Sequence, residues 1–350
     1  MATALASGVD TLLNWTKGRD PDGKAADIIG ILNQSNEINQ YMLWEESNGA
    51  LMNRTTVQVL LPTVSSRQLG AGIATSTSRV AQFDDAMSIL DVFNEVDIKM
   101  AELNGEVGAY RLRMAIPYFE ALSQKFSGLL FYGNSTQTTS DFYGLSSRYP
   151  TVNSANAANA QNVLDGGGTS TVNASMYLIG LGTKSLTGIF PRGMASGLQH
   201  RDWGQQIAQV TAGYAATMLP VYRDQFTWNC GIALKDWRQC VRIANIDTTN
   251  LTNENNAADL IKLMTKALYR LPSISMPAST TGNPMTSIPI SARNVWVCNR
   301  TIREMLHIQA DNKRNNTLTW GEIFGLKVLF HMGIPILNSD QLLSTESQVT

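Results

Sequence analysis

The sequence predicts an α+β protein built from one long helix and many strands. Apolar residues recur three or four positions apart from 103 to 131, the spacing of a helix with one buried face. From 87 to 100 they alternate with polar residues, as in a strand with one buried face. Later segments of both kinds are interspersed without a regular βαβ repeat, which favours α+β over a doubly wound parallel sheet.

The composition indicates a globular chain with few charges. Of its 350 residues, 43% are hydrophobic, enough to form a core in two or three domains. Only 16% are charged, below the average for soluble domains, and the net charge is -1. A chain without a basic field does not attract nucleic acid or an anionic membrane over a distance, so a dedicated nucleic-acid-binding protein is disfavoured.

Cysteine usage and the N-terminal sequence indicate the cellular location. Cys230, Cys240 and Cys298 are an odd number without CxxC spacing, which predicts reduced thiols rather than a disulfide framework or a zinc site. The first residues have no basic start before their apolar positions, and no apolar run is long enough to span a bilayer. We therefore expect a cytoplasmic chain with neither an export signal nor a membrane span.

An arm and a helix are predicted to open the chain. Residues 1–23 mix small and polar types and end in GRDPDG, which is typical of an irregular leading segment. From 25 to 44, apolar residues recur at near-helical spacing and predict a first helix that stops near SNG.

A long two-stranded hairpin is predicted next. Thr55, Val57, Val59 and Leu61 alternate with other residues, Pro and Gly then interrupt the chain, and a polar β-branched return follows. An isolated hairpin is marginal in water because no second layer covers its apolar face, so a partner surface is implied. The alternative is an edge hairpin folded onto its own domain.

The strand at 87–100 and the helix at 103–131 follow the hairpin. Pro117 lies inside the predicted helix, where it removes a backbone donor, so we expect a kink there. Gly133 stands at a position where glycine often ends a helix. Beyond it, the stretch 129–182 contains a loop of about forty Ser, Thr, Asn, Ala and Gly-rich residues, and loops that long tend to be functional or disordered.

No motif for catalysis is complete. GLGTKS at 180–185 lacks the glycines of a phosphate loop, and GMASG at 193–197 has Ala195 where a nucleophile elbow needs serine. The three histidines are far apart and show no metal-binding spacing. An enzyme remains formally open, but no site supports one.

Several stretches resemble the major capsid proteins of tailed bacteriophages with the Hong Kong 97-type fold, and in particular the coat proteins of short-tailed phages of the epsilon-fifteen type. They are spread from about residue 24 to residue 343, and none is a catalytic motif. The stretches are DIIGILNQSNEINQYMLWEESNG, LFYGN, FYGLSSRY, NVLDGGGT, GIFPRGMASGLQHRDWG, WNCGIALKDWRQCVRIANID, CNRTIREML and GIPILNSDQLL.

The resemblance implies a division of the chain. Residues 1–52 would be an N-terminal arm and first helix, and 53–84 an extended hairpin loop lying over a neighbouring subunit. Residues 85–150 would hold the peripheral domain with its spine helix, and 151–319 the axial domain. Residues 320–350 would return to the peripheral domain, where the runs at 326–343 and the strand at 87–100 would form its sheet.

The same resemblance implies a function and its partners. The chain would self-assemble, as hexamers and pentamers, into the icosahedral head of a tailed phage that encloses double-stranded DNA, contacted non-specifically. A separate scaffolding protein is expected because the chain leaves no room for a cleaved scaffolding domain, together with a portal and with or without a decoration protein. Assembly would take place in the host bacterial cytoplasm, without membrane, metal or cofactor. The alternative is a minor structural or binding protein of a phage particle.

Opposite charges on the hairpin and on the segment after it suggest how subunits recognise one another. The hairpin carries arginines with no acidic residue between them, and arginine holds a carboxylate with two hydrogen bonds. We expect ion pairs between subunits, the alternative being that both sets are solvated or that the first two acids belong to the hairpin base. The residues are Arg67 and Arg79 on the hairpin, and Asp84, Asp85, Asp91, Glu95 and Asp97 on the opposing segment.

Overall fold

A computed structural model describes residues 34, 36–70, 72–103, 107–209, 218–254, 257–272, 293–312, 318–323 and 326–350. The helices are Ile38–Tyr41 (α1), Ile98–Glu102 (α2), Val107–Tyr132 (α3), Leu145–Arg148 (α4), Thr248–Thr252 (α5), Leu260–Leu268 (α6) and Arg300–Asn312 (α7). The strands are Trp44–Glu46 (β1), Met52–Leu60 (β2), Arg79–Ala86 (β3), Ser88–Asp97 (β4), Val163–Asp165 (β5), Asn173–Leu181 (β6), Leu186–Phe190 (β7), Leu198–Gln209 (β8), Met218–Leu234 (β9), Cys240–Asp247 (β10), Arg293–Cys298 (β11), Leu318–Ile323 (β12), Leu326–His331 (β13) and Ile334–Asn338 (β14).

A mixed sheet forms the centre of the described structure. Its main strand order is β12-β13-β14-β11-β6-β7-β9-β4, with β10 also beside β6, β5 beside β10, β1 beside β7 and β8 beside β9. Every residue of β6 is buried because packed layers cover both faces of the strand. Its sequence is accordingly a nearly continuous run of small and apolar residues, without the polar alternation of a half-exposed strand.

Helix α3, the predicted spine helix, covers one face of the sheet. Phe126 is fully buried, and its ring centre lies 4.8 Å from that of Trp228 on β9 and 5.5 Å from that of Trp44 on β1. Phe142, beyond the helix, completes this cluster at 5.9 Å from Phe126. Large aromatic side chains at these separations contribute attractive ring contacts in addition to the burial of their area.

Helices α6 and α7 cover the opposite face. Met264 on α6 and Leu306 on α7 are fully buried against Leu178 of β6 and Trp296 of β11. The side chain of Asp259 accepts a hydrogen bond from Lys262 N at 3.2 Å and so caps the start of α6. The sheet therefore separates two hydrophobic clusters, one under each helical layer.

The long helix predicted at 103–131 is confirmed and runs from Val107 to Tyr132. Leu103 was expected on its buried face but precedes the helix and is exposed. Gly133 ends it by donating its backbone N–H to Leu129 O, and a Cβ there would come within 2.3 Å of Phe142 O. Pro117 lies inside the helix, and the kink expected there stays a prediction.

The strand predicted at 87–100 is confirmed but ends earlier. Leu90, Val92 and Val96 do share its inward face, as expected. Ile98 and Met100, however, belong to α2, because Asp97 accepts a hydrogen bond from Lys99 N at 2.8 Å and caps this short helix. The polar cap outweighs the β-like alternation at this point.

The described residues include only part of the predicted N-terminal arm and first helix. The arm at 1–23 and residues 25–33 of the first helix lie outside the described residues. Within the rest, α1 has four residues, and Trp44 opens strand β1, which runs parallel to β7. The prediction of a helix through Trp44 is wrong because β1 completes the sheet beside β7, a tertiary pairing that local periodicity does not reveal.

The structure also places the polar stretch and the C-terminal strands. The polar stretch after the spine helix contributes fully buried side chains, Phe142, Leu145 and Tyr149, to the cluster beneath α3. The C-terminal strands and β4 belong to the same mixed sheet, in which β14 pairs with β11 and β4 pairs with β9, and the assignment of that sheet to one domain stays a prediction. The parallel pairing of β14 with β11 needs no local turn, so the order of the strands in the sequence gave no signal for it.

Candidate assembly surfaces

The hairpin stands apart from the sheet. β2 and β3 pair antiparallel from Met52 opposite Ala86 to Leu60 opposite Arg79, and together they form a separate two-stranded sheet. This confirms the predicted two-stranded excursion. Both strands and the connection between them expose large apolar side chains that no second layer of the described residues covers, namely Val59, Leu60, Leu61, Val64, Leu69, Ile73, Val80 and Phe83.

The base of the hairpin is held firmly. Arg54 on β2 donates from Nε to Asp84 Oδ1 at 2.7 Å and from Nη2 to Asp84 Oδ2 at 2.8 Å. These hydrogen bonds hold the pKa of Asp84 below its usual value. Asn48 exchanges two hydrogen bonds with the backbone of Arg54, and Arg148 Nη2 donates to Asp85 Oδ1 at 2.6 Å. A well-anchored base thus carries an uncovered apolar tip.

The other predicted acids also have partners within the chain. Asp91 accepts from Gln225 Nε2 at 2.6 Å and from Thr227 Oγ1 at 2.8 Å, across the β4–β9 pair. Glu95 lies 2.5 Å from Arg223 Nη2, and Asp97 caps α2.

The predicted arginines lie elsewhere. Arg67 and Arg79 are exposed, and neither forms an ion pair with a residue of the described ranges. The subunit therefore does not bring the two predicted sets of charges together. Pairing of these arginines with a neighbouring copy stays a prediction.

The outer face of β4 forms a second uncovered surface, which the sequence interpretation missed. Ile89 and Phe93 alternate with the buried residues of the strand and are 56% and 48% exposed. On β8, Trp203 is also exposed, with the guanidinium carbon of Arg201 lying 4.1 Å from its ring centre. Large apolar residues on both faces of one strand were a partial signal in the sequence, since they do not indicate which face is left exposed.

The N-terminal half of α3 adds an apolar stripe. Leu112 and Ile116, four residues apart and so on one face of the helix, are both more than half exposed. Exposed apolar side chains are common singly, but several such surfaces on one subunit are typical of proteins that bind other proteins.

An ionic network joins the spine helix to β8 and β9. Arg111 Nη2 lies 2.6 Å from Asp224 Oδ1 and 2.8 Å from Asp202 Oδ1, and its guanidinium lies over the ring of Tyr222. The hydrogen bond to Asp224 raises the pKa of Arg111. His200 Nε2 lies 2.9 Å from Asp224 Oδ1. This network links the spine helix to both long strands.

The described residues contain no cluster of His, Cys, Asp and Glu able to hold a metal ion. Cys230, Cys240 and Cys298 are buried free thiols, and burial raises the pKa of each. In the part of the chain described by the structure, none of the helices has the length and apolar character to cross a membrane.

A mixed sheet covered by a long helix, with an anchored hairpin that projects uncovered, defines a subunit built to bind copies or partners. The chain belongs to the family of major capsid proteins described as Major capsid protein GP7, whose model matches residues 20–350. It is thus a structural protein of a tailed phage with the Hong Kong 97-type capsid fold.

The structure of one phage capsid agrees with this assignment, and a second is reported for comparison. A chain from the structure of bacteriophage Epsilon15 is 25% identical, with a TM-score of 0.75 and 99% of each chain covered. The capsid of bacteriophage JBD30 is 10% identical, with a TM-score of 0.45 over 89% of this chain and 92% of that one. A search of curated proteins found no match.

Proposed function

We propose that this major capsid protein self-assembles into the icosahedral head of the phage, as hexamers and pentamers that enclose double-stranded DNA. The observation that carries the proposal is the hairpin, whose base is fixed by two ion pairs while its tip exposes Val64 and Leu69 almost completely. Burying such side chains against a neighbouring copy is favourable by roughly 1.5 to 3 kcal/mol each. Weak contacts of this kind, repeated at every subunit, favour a closed shell.

The division of the chain is part of the proposal. Residues 1–52 act as arm and first helix, 53–84 as the extended hairpin over a neighbour, and 85–150 as the peripheral domain. Residues 151–319 form the axial domain, and 320–350 return to the peripheral domain. The contact of the C-terminal segment with the end of α3, where Leu343 N donates to Tyr132 Oη at 3.0 Å, supports the last assignment.

The partners are proposed on chemical grounds. A net charge of -1 suits a wall that contacts packaged DNA without gripping its phosphates, because a basic lining would add affinity at each contact. A separate scaffolding protein and a portal complete the assembly, with or without a decoration protein, in the cytoplasm of the bacterial host.

We also propose that the chain is not an enzyme. His200 is held by Asp224 and stacks on Phe226, an arrangement that supports a structural role.

The hairpin experiment tests the proposal. Because Leu60 and Arg79 are paired, a short Gly/Ser turn can replace residues 61–78 without disturbing the base of the hairpin. We expect the variant to keep a cooperative thermal unfolding transition and to form no shells in electron micrographs. Normal shells from this variant would contradict the proposed role of the hairpin.

A charge substitution at Arg67 tests the proposed ion pair between subunits separately. Arg67→Glu should lower shell yield most at low salt, where charge attraction is least screened, while Arg67→Gln should lower it less. Equal yields for Arg67→Glu and the parent at low salt would exclude an ion pair at this position.

A further inference from the structure

The last part of the described chain crosses several elements without forming a regular helix or strand. Leu343 N donates to Tyr132 Oη at the end of the spine helix, and Glu346 exchanges backbone hydrogen bonds with Asn173 of β6. We call residues 339–350 the strap.

The end of the strap is also held by side chains of the body. Asn245 on β10 donates from Nδ2 to Val349 O at 2.8 Å and accepts from Val349 N at 2.7 Å. Thr151 Oγ1 donates to Thr350 O at 2.6 Å. The strap is therefore attached on both sides of Glu346.

Arg242 places a charge in an otherwise apolar layer. Its neighbours on the same face of β10, Cys240 and Ala244, belong to the hydrophobic cluster under the spine helix. The Arg242 side chain is 5% exposed, and its guanidinium carbon lies 5.8 Å from the ring centre of Tyr177. A buried charge is strongly unfavourable unless it is paired, so this layer needs an anion.

Glu346 of the strap supplies that anion. Arg242 Nη2 donates to Glu346 Oε2 at 2.8 Å, and Ser175 Oγ donates to the same oxygen at 2.5 Å. Tyr132 Oη donates to Glu346 Oε1 at 2.5 Å. Burial, together with the neighbouring carboxylate, raises the pKa of Tyr132, so that its hydroxyl keeps its proton. One carboxylate thus joins β10, β6 and the last residue of α3.

We propose that the strap is a releasable lock that holds the C-terminal end of the spine helix on the central sheet. The buried Glu346 carboxylate is the contact that keeps it closed. Opening the strap leaves Arg242 without its counter-charge and Tyr132 without its acceptor. Closure of the strap and the position of the helix end are therefore coupled.

The surface position of the strap makes it releasable. Leu343, Thr345 and Ser347 are exposed, on either side of the buried Glu346. Irregular surface segments open locally at a lower free energy than the core around them. Opening of the strap therefore removes the link between Glu346 and the helix end while the sheet stays folded.

Hydrogen exchange on the full-length protein, followed by mass spectrometry, tests the lock. Glu346→Gln removes the charge that neutralises Arg242. Removing one partner of a buried pair raises an opening equilibrium by roughly a hundredfold or more. We expect exchange to rise by about that factor in 343–350 and also in 127–133, at the end of α3.

A matched control and a second variant complete the test. Glu102→Gln breaks an exposed pair with Lys99 and should leave exchange in both segments unchanged. Tyr132→Phe keeps the Arg242–Glu346 pair and removes only the link to the helix. It should accelerate exchange in 127–133 while residues 240–247 stay protected, and it decides the question alone if Glu346→Gln fails to fold. Exchange that rises only in the strap, or nowhere, overturns the proposal.

Discussion

Arg148 fixes the direction in which the hairpin leaves the subunit. Its Nη2 donates to Asp85 Oδ1, and its Nε donates to Tyr143 O at 3.0 Å. The side chains of Arg148 and Asp85 are 14% and 7% exposed, so water screens their attraction far less than that of a surface pair. The sequence left two interpretations of Asp85 open, a contact with a neighbouring copy and a place in the base of the hairpin. Its partner in the structure lies 63 positions further along the same chain, a distance over which charge patterning carries no information.

His331 makes the fold sensitive to acid. Its side chain is fully buried, and neither ring nitrogen has a hydrogen-bond partner among the described residues. Burial lowers the pKa of His331 below 6.5. The unfolded chain therefore takes up the proton first as the pH falls through about 6.5, and folding stability is lost below that pH.

Replacing the ring measures this contribution. His331→Phe keeps an aromatic ring against Trp296, whose centre lies 6.0 Å away, and removes the titration. We expect the melting temperature of the variant to fall less than that of the parent between about pH 7.5 and about pH 5.5, on either side of the histidine pKa. His307→Asn, at an exposed position, is the control and should behave like the parent. Equal falls for parent and His331→Phe would contradict the interpretation.

Among the helices and strands, local periodicity predicted those whose pattern lies within one continuous stretch of sequence. The long helix, the hairpin and the strand at β4 were all predictable because each has a strong period over many residues. The partner of β4 was not, since Asp91 and Thr227, which face each other across β4 and β9, are 136 positions apart. The first helix was overextended for the same reason, because β1 exists through its pairing with β7.

The sequence predicted some of the assembly surfaces and missed others. The sequence identified the hairpin, since its length and missing cover are local properties. It did not identify Ile89 and Phe93, because their alternation with the buried residues of β4 indicates only that they face outward. Their large exposed area becomes visible only in the structure, where no layer of the described residues covers that side of β4.

Alanine variants of two phenylalanines should separate an effect on stability from an effect on assembly. Phe126 is fully buried among aromatic rings, so Phe126→Ala should cost about 3 to 5 kcal/mol of unfolding free energy. Phe93 lies half exposed on the outer face of β4, so Phe93→Ala should cost about 1 kcal/mol or less while lowering shell yield. Chemical denaturation of unassembled protein and particle counts by electron microscopy measure the two effects. A large loss of stability in Phe93→Ala, or an unchanged shell yield, would contradict this assignment.

The whole subunit combines a rigid body with surfaces that a single copy leaves uncovered. Packing on both faces of the central sheet and the Arg111 network hold the body together. The hairpin, the outer face of β4 and the stripe of Leu112 and Ile116 remain exposed. Three separate surfaces allow each copy to contact several neighbours, which is the requirement for a closed shell.

Cryo-electron microscopy of the purified protein, with and without a co-expressed scaffolding protein, tests whether the hairpin builds a shell. We expect closed icosahedral shells of hexamers and pentamers, in which Val64 and Leu69 of each hairpin are buried against a neighbouring subunit. Particles in which the hairpin folds back onto its own subunit, or a protein that stays monomeric under both conditions, would contradict this expectation.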